Sequence, residues 1–153
     1  ETDLDVPAPA ELGTGGAHVP VGSAMHVVAR LEAVVEGVLV SGTAAVAVEA
    51  ECARCLDPVS WDQTCGFTEL YLHDPGPPDE DLPVLVGDLL TLEPVIRDSV
   101  VLALPLAPLC RADCPGLCVV CGARMADDPT HKHDLIDPRW AALAGPETTD
   151  KED

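Results

Sequence analysis

Residues 25–52 read MHVVARLEAVVEGVLVSGTAAVAVEAEC, and two strands are legible in them. From Met25 the chain alternates: Met25, Val27, Ala29, Leu31, Ala33 and Val35 share one face. His26, Arg30, Glu32 and Glu36 take the other face, with Val28 and Val34. A period of two with one apolar side describes a half-buried strand. Gly37 breaks the pattern, and a second strand follows with Val38, Val40, Ala44, Val46, Val48 and Ala50 on one side. Gly42 inside it predicts a bulge or bend. The same alternation carries Cys52 onto the apolar face, so ECARCL (51–56) begins where the strand ends.

Working outward, a third strand is expected over Trp61–Leu72, with Trp61, Cys65, Phe67 and Tyr71 on one side. Three sequential strands with short connections favour an antiparallel meander. Residues 1–24 hold three prolines and several glycines and read as an irregular lead-in. Residues 73–90 open as a Pro-rich acidic loop, HDPGPPDEDLP. A helix is predicted over 91–104, with Thr91 as cap, Pro94 in the first turn, and Glu93 and Arg97 at i,i+4. Leu92, Val95, Ile96, Val100 and Ala103 form its apolar stripe. Pro105 and Pro108 end it and lead into a cysteine-rich loop that completes 105–143 with a short helix at DPRWAAL. Residues 144–153 read as an acidic tail. The fold class expected is α+β: one domain over 25–143 with an antiparallel meander, one packed helix and a C-terminal cysteine-rich zinc-binding loop.

Charge narrows the partners. The 153 residues carry 27 Asp plus Glu against 8 Lys plus Arg, a formal charge of −19, with no Lys or Arg between Arg54 and Arg97. Such a surface repels phosphate backbones; it is read either as a device for solubility or salt adaptation, or as the match of a strongly basic partner. No apolar run reaches bilayer length, and the first residues, ETDLDVPAP, carry no export signal, so a cytoplasmic, reducing setting without membrane contact is expected. There, close cysteine pairs bind metal more readily than they form disulfides.

Six of the seven cysteines stand in pairs: Cys52/Cys55 and Cys118/Cys121 as C-x-x-C, and Cys110/Cys114 one residue wider. A two-residue gap lets both thiolates of a pair reach one zinc, and Gly122 permits the tight turn of a metal knuckle. One arrangement closes Cys110, Cys114, Cys118 and Cys121 on a single ion. The other, which we favour, has Cys52 and Cys55 meet a downstream pair and staple the sheet to the loop; which pair stays open. His131 and His133 could serve a second ion, although exposed loop histidines are the reading carried forward. Cys65 is expected to pack as a small apolar residue. All-cysteine ligation points to structural rather than catalytic zinc. There is no G-x-S-x-G, Walker loop or H-E-x-x-H, and an enzyme is not expected.

The ordered set GVLVSG, ECARCLDPV, FTELYL, LEPVIRDSVVLALPLAPLC, CPGLCVVCG and DPRWAAL resembles the YceD-like family of large ribosomal RNA subunit accumulation proteins, in its actinobacterial form. The resemblance implies a non-enzymatic factor in ribosome biogenesis that supports accumulation and processing of large-subunit (23S) ribosomal RNA. It also implies residues upstream of Glu1. The partner expected is a ribosomal protein of the large subunit or a pre-ribosomal particle. Any ribosomal RNA contact is expected from Arg111, Arg124, Lys132 and Arg139. The alternatives are a zinc-dependent RNA-processing enzyme and a thiol redox sensor.

Overall fold

The computed structural model describes residues 1–74 and 83–133, together with Arg139. The chain divides into two compact units, Glu1–Cys114 and Pro115–Asp153; the expected single domain set no division at that point. The first unit is an antiparallel sheet with one helix. Its strands are β1 (Thr2–Pro7), β2 (Ala17–His18), β3 (Ala24–Ala33), β4 (Gly37–Glu51) and β5 (Pro58–Leu72), followed by α1 (Glu93–Ala103). β4 is the spine. β5 pairs along its whole length on one side, and β3 and then β2 share the other, with β1 outside β3.

The meander is therefore as expected, but the lead-in is not irregular. TDLDVP pairs with β3, Leu4 opposite Val27 and Val6 opposite Met25, while Asp3 and Asp5 alternate away from the core. Residues 8–19 also contribute Ala8, Leu12, Ala17 and Val19 to the core. The third strand starts three residues earlier than expected, at Pro58.

Register explains most of the core. Val27, Val40, Ala44, Val46, Val48, Cys65, Phe67 and Tyr71 are buried against Ile96, Val100 and Leu104 from the helix and its end. The apolar alternation of β3 runs past the residues that cover the sheet: Leu31 is 45% exposed, and Val35, in the turn after the strand, 93%. Nor does Gly42 form a bulge, because pairing continues through it to Ala29 and Phe67. A Cβ there would collide with the Val28 carbonyl oxygen and sit 2.7 Å from the Phe67 ring. The glycine admits the close approach of that carbonyl and of the ring.

The helix keeps Pro94 in its first turn and the Glu93–Arg97 pair at 2.7 Å. Thr91 does not cap it. Leu92 holds the cap position without a side-chain bond, and the Thr91 carbonyl instead accepts the Tyr71 hydroxyl at 2.6 Å. Leu104, not Ala103, completes the buried stripe, four residues beyond Val100. Its extended backbone before Pro105 stops the helix. Of the acidic loop, residues 83–90 form a small turn closed by Val86 and Leu89, and 75–82 lie outside the described residues. So do the DPRWAAL helix, apart from Arg139, and the 144–153 tail.

Candidate metal centres

At the end of β4 the backbone turns back on itself. The Cys52 amide donates to the Asp57 carbonyl (2.8 Å) and the Leu56 amide to the Cys52 carbonyl (2.9 Å). Leu56 takes the left-handed conformation, φ 62°, to allow the turn. Two contacts tie this turn to the segment after the helix: the Ala53 amide to Pro108 oxygen, 2.8 Å, and Arg54 Nη1 to the Cys114 carbonyl, 2.9 Å. Cys52, Cys55, Cys110 and Cys114 are thereby gathered, their sulfurs all within 4.8 Å of one another. Cys52 Sγ lies 3.8 Å from Cys114 Sγ, and Cys55 Sγ lies 3.7 Å from Cys110 Sγ. Four thiolates about 2.3 Å from one zinc stand about 3.8 Å apart, so the set fits that ion. Cys52, Cys55 and Cys114 are buried, beside Val59 and Leu109, and Cys110 is exposed.

The thiols are unlike electrostatically. Amide hydrogen bonds, that of Cys110 first, outweigh burial and bring Cys52 down to about 6. For Cys55 the Asp57 amide pulls down, but burial and the neighbouring thiols push it up to about 12. Cys110 is also raised, first by its bond with Cys114 and then by burial. One favoured thiolate, Cys52, beside two reluctant thiols, Cys55 and Cys110, belongs to a set that a divalent cation would complete, since coordination deprotonates thiols outright.

The second unit holds the other centre. Between Cys118 and Cys121 the chain makes a knuckle, with the Cys118 amide on Ala123 oxygen (2.7 Å) and the Gly122 amide on Cys118 oxygen (2.8 Å). Gly122 supplies φ 72° there. Downstream, Asp128 Oδ1 accepts from the Thr130 amide (2.9 Å) and hydroxyl (2.6 Å), which holds its carboxyl below the usual range. The His131 amide donates to the Asp128 carbonyl, 3.1 Å. That turn sets His131 Nε2 3.2 Å and His133 Nε2 3.3 Å from Cys121 Sγ, and 2.9 Å from each other. Tetrahedral zinc spaces sulfur from nitrogen by about 3.5 Å and nitrogen from nitrogen by about 3.3 Å, so this set is a few tenths of an ångström tight. Cys118 completes it, brought down to about 6 by the Cys121 and Val120 amides.

Of the two arrangements left open, the geometry is the long-range one, with Cys110 and Cys114 meeting Cys52 and Cys55. It also gathers His131 and His133 with Cys118 and Cys121, as the second-ion alternative had them; of the two, His133 is exposed and His131 half-buried. Cys65 is buried in β5, and burial raises its thiol. Arg54 was not singled out from the sequence, although its place between two cysteines was the available signal. Arg111 sits 3.4 Å from Asp113 in the first unit; Arg124, Lys132 and Arg139 are exposed in the second.

The family described as large ribosomal RNA subunit accumulation protein YceD matches residues 40–145, more than half of the chain. The chain belongs to the YceD family. The matched span of this YceD chain contains all eight ligand candidates, whereas β1, β2 and β3 precede it. Uncharacterised proteins of Mycobacterium tuberculosis and Mycobacterium bovis are each 42% identical over 151 residues, covering 94% of this chain and 73% of theirs. One of Mycobacterium leprae is 37% identical over 143 residues, covering 90% and 66%. No solved structure matches the chain.

Proposed function

We propose that this YceD-family chain is a non-enzymatic binding factor supporting accumulation and processing of 23S ribosomal RNA, with structural zinc in both centres. The observation that carries the reading is the gathering of Cys52 and Cys55 with Cys110 and Cys114 into a closed, largely buried, thiol-only set. Four protein thiolates fill a zinc tetrahedron, whereas catalytic zinc keeps a position for water. Family membership supplies the role in ribosomal RNA accumulation. No helix among the described residues is long and apolar enough to cross a membrane, and we place the protein in the cytoplasm.

The partner best suited to a formal charge of −19 is a basic ribosomal protein of the large subunit, alone or in a pre-ribosomal particle. Any direct RNA contact falls to Arg111, Arg124, Lys132 and Arg139. Metal analysis beside a pull-down over a salt series tests both halves. Two zinc ions per chain and salt-sensitive retention of a large-subunit protein are expected. Metal-free, normally folded material, or tight binding to naked RNA with no ribosomal protein retained, would overturn it.

A further inference from the structure

The sheet of the first unit has two edges of unlike character. β1 is six residues long, ends in Pro7 and carries Asp3 and Asp5. Short length, proline and charge are the devices by which proteins blunt an edge. β5 has few of them. Its 15 residues run in unbroken register against β4, without a bulge, and its charged residues are Asp62 and Glu69. Among the described residues of this unit, the far edge of β5 is met by another strand segment at Leu72 alone, through a bridge to Val84.

In an antiparallel edge strand, about every second residue directs both its N–H and its C=O outward. The stretch 59–71 is thus a long row of donors and acceptors in position for one more strand. On the solvent face its side chains are mostly small or polar: Ser60, Asp62, Thr64, Gly66 and Thr68, followed by the half-buried Leu70. Over 60–68 no large side chain on that face stands in the way of an incoming backbone.

Charge selects the occupant. Asp62 and Glu69 lie on β5 itself, and Glu49 and Glu51 on β4 pair opposite Ser60 and Pro58. A second copy would bring the same −19 and be repelled. We propose that the free edge of β5 docks an extended Lys/Arg-rich segment of a partner protein, which adds to the sheet as a further strand. The class of partner rests on the reading above; the geometry of capture rests on the edge. Backbone bonds would give affinity, and alternate side chains beside Asp62 and the half-buried Trp61 would give selectivity.

The test is amide hydrogen exchange on the intact, zinc-loaded protein with a dodecapeptide alternating Lys and Val. A peptide of equal charge, with Pro at alternate positions, is the control because it lacks the donors. Protection of 59–71 by the first peptide and not the second is expected. Equal effects of both peptides, protection confined to other segments, or self-association through β5 would overturn the proposal. Thr64→Lys/Thr68→Lys, at exposed positions, should leave melting and zinc content unchanged and weaken retention of the large-subunit protein at least about fivefold. Unchanged retention, with no protection at 59–71, sinks the edge alone. A wild-type chain that retains no ribosomal protein, yet is protected by the alternating peptide, sinks the partner reading alone.

Discussion

The two clusters use one kind of local device, a C-x-x-C turn wrapped by amides, for opposite ends. In the first, Cys52 and Cys114 are 62 residues apart, and closing the set fastens the end of β4 to the segment beyond α1. In the second, Cys121 reaches His131 and His133 over 10 and 12 residues, so closure organises its own loop. One is mostly buried and all thiol; the other is half imidazole and open to solvent. The difference teaches that ligand spacing identifies a turn, whereas where the partner turn lies in the chain decides how much structure depends on the ion.

The largest expected effect comes from breaking the long-range set. Cys55→Ser or Cys114→Ser should remove one of two zinc equivalents and lower unfolding stability by about 3 kcal/mol or more, on the scale of losing a long-range cross-link. Elemental analysis beside calorimetry reads both; unchanged melting would put the two centres on an equal footing. Next is the order of release. With a chelator and a zinc-sensitive dye, the solvent-exposed centre should give up its ion first, with no change in the sheet's circular dichroism. The second equivalent should leave only as that signal is lost. Simultaneous release would erase the contrast.

A smaller effect is expected from His133→Ala. It should cost one zinc equivalent yet change the stability of the first unit by no more than about 0.5 kcal/mol, as exposed substitutions do, with faster proteolysis confined to the second. The smallest involves neither centre. His26 Nδ1 lies 2.9 Å from Asp5 Oδ1, and that bond, with the Asp3 charge, raises its pKa above 6.5. Its contribution to stability is therefore fully present below pH 6.5 and lost as pH rises through the raised value. A titration by NMR should show the shift, and Asp5→Asn should bring it back towards 6.5.

Much of this was legible in the alternation of Met25–Cys52, because a strand with one wet face writes its period into the sequence. β1 was not, since Asp3, Asp5 and Pro7 obscure a pattern only two apolar residues long. Gly42 suggested a bulge or bend, because spacing cannot tell a glycine that breaks the pairing from one that admits the Val28 carbonyl and Phe67. The paired cysteines suggested a metal cluster, but with four more thiols between 110 and 121, spacing alone suited both a local and a distant closure. His131 and His133 sat in a polar loop with no periodic neighbour. What unites them with Cys121 is a turn held by Asp128 and Thr130, visible only in three dimensions.

The 62-residue reach of the first centre has a consequence for how each copy is made. Translation delivers β4 with Cys52 and Cys55 long before Cys110 and Cys114 leave the ribosome, so every nascent chain passes through a stage as an unmatched dithiol. During that interval the growing polypeptide carries two thiols without their partner pair, and the pace of elongation through β5 and α1 sets how long that lasts.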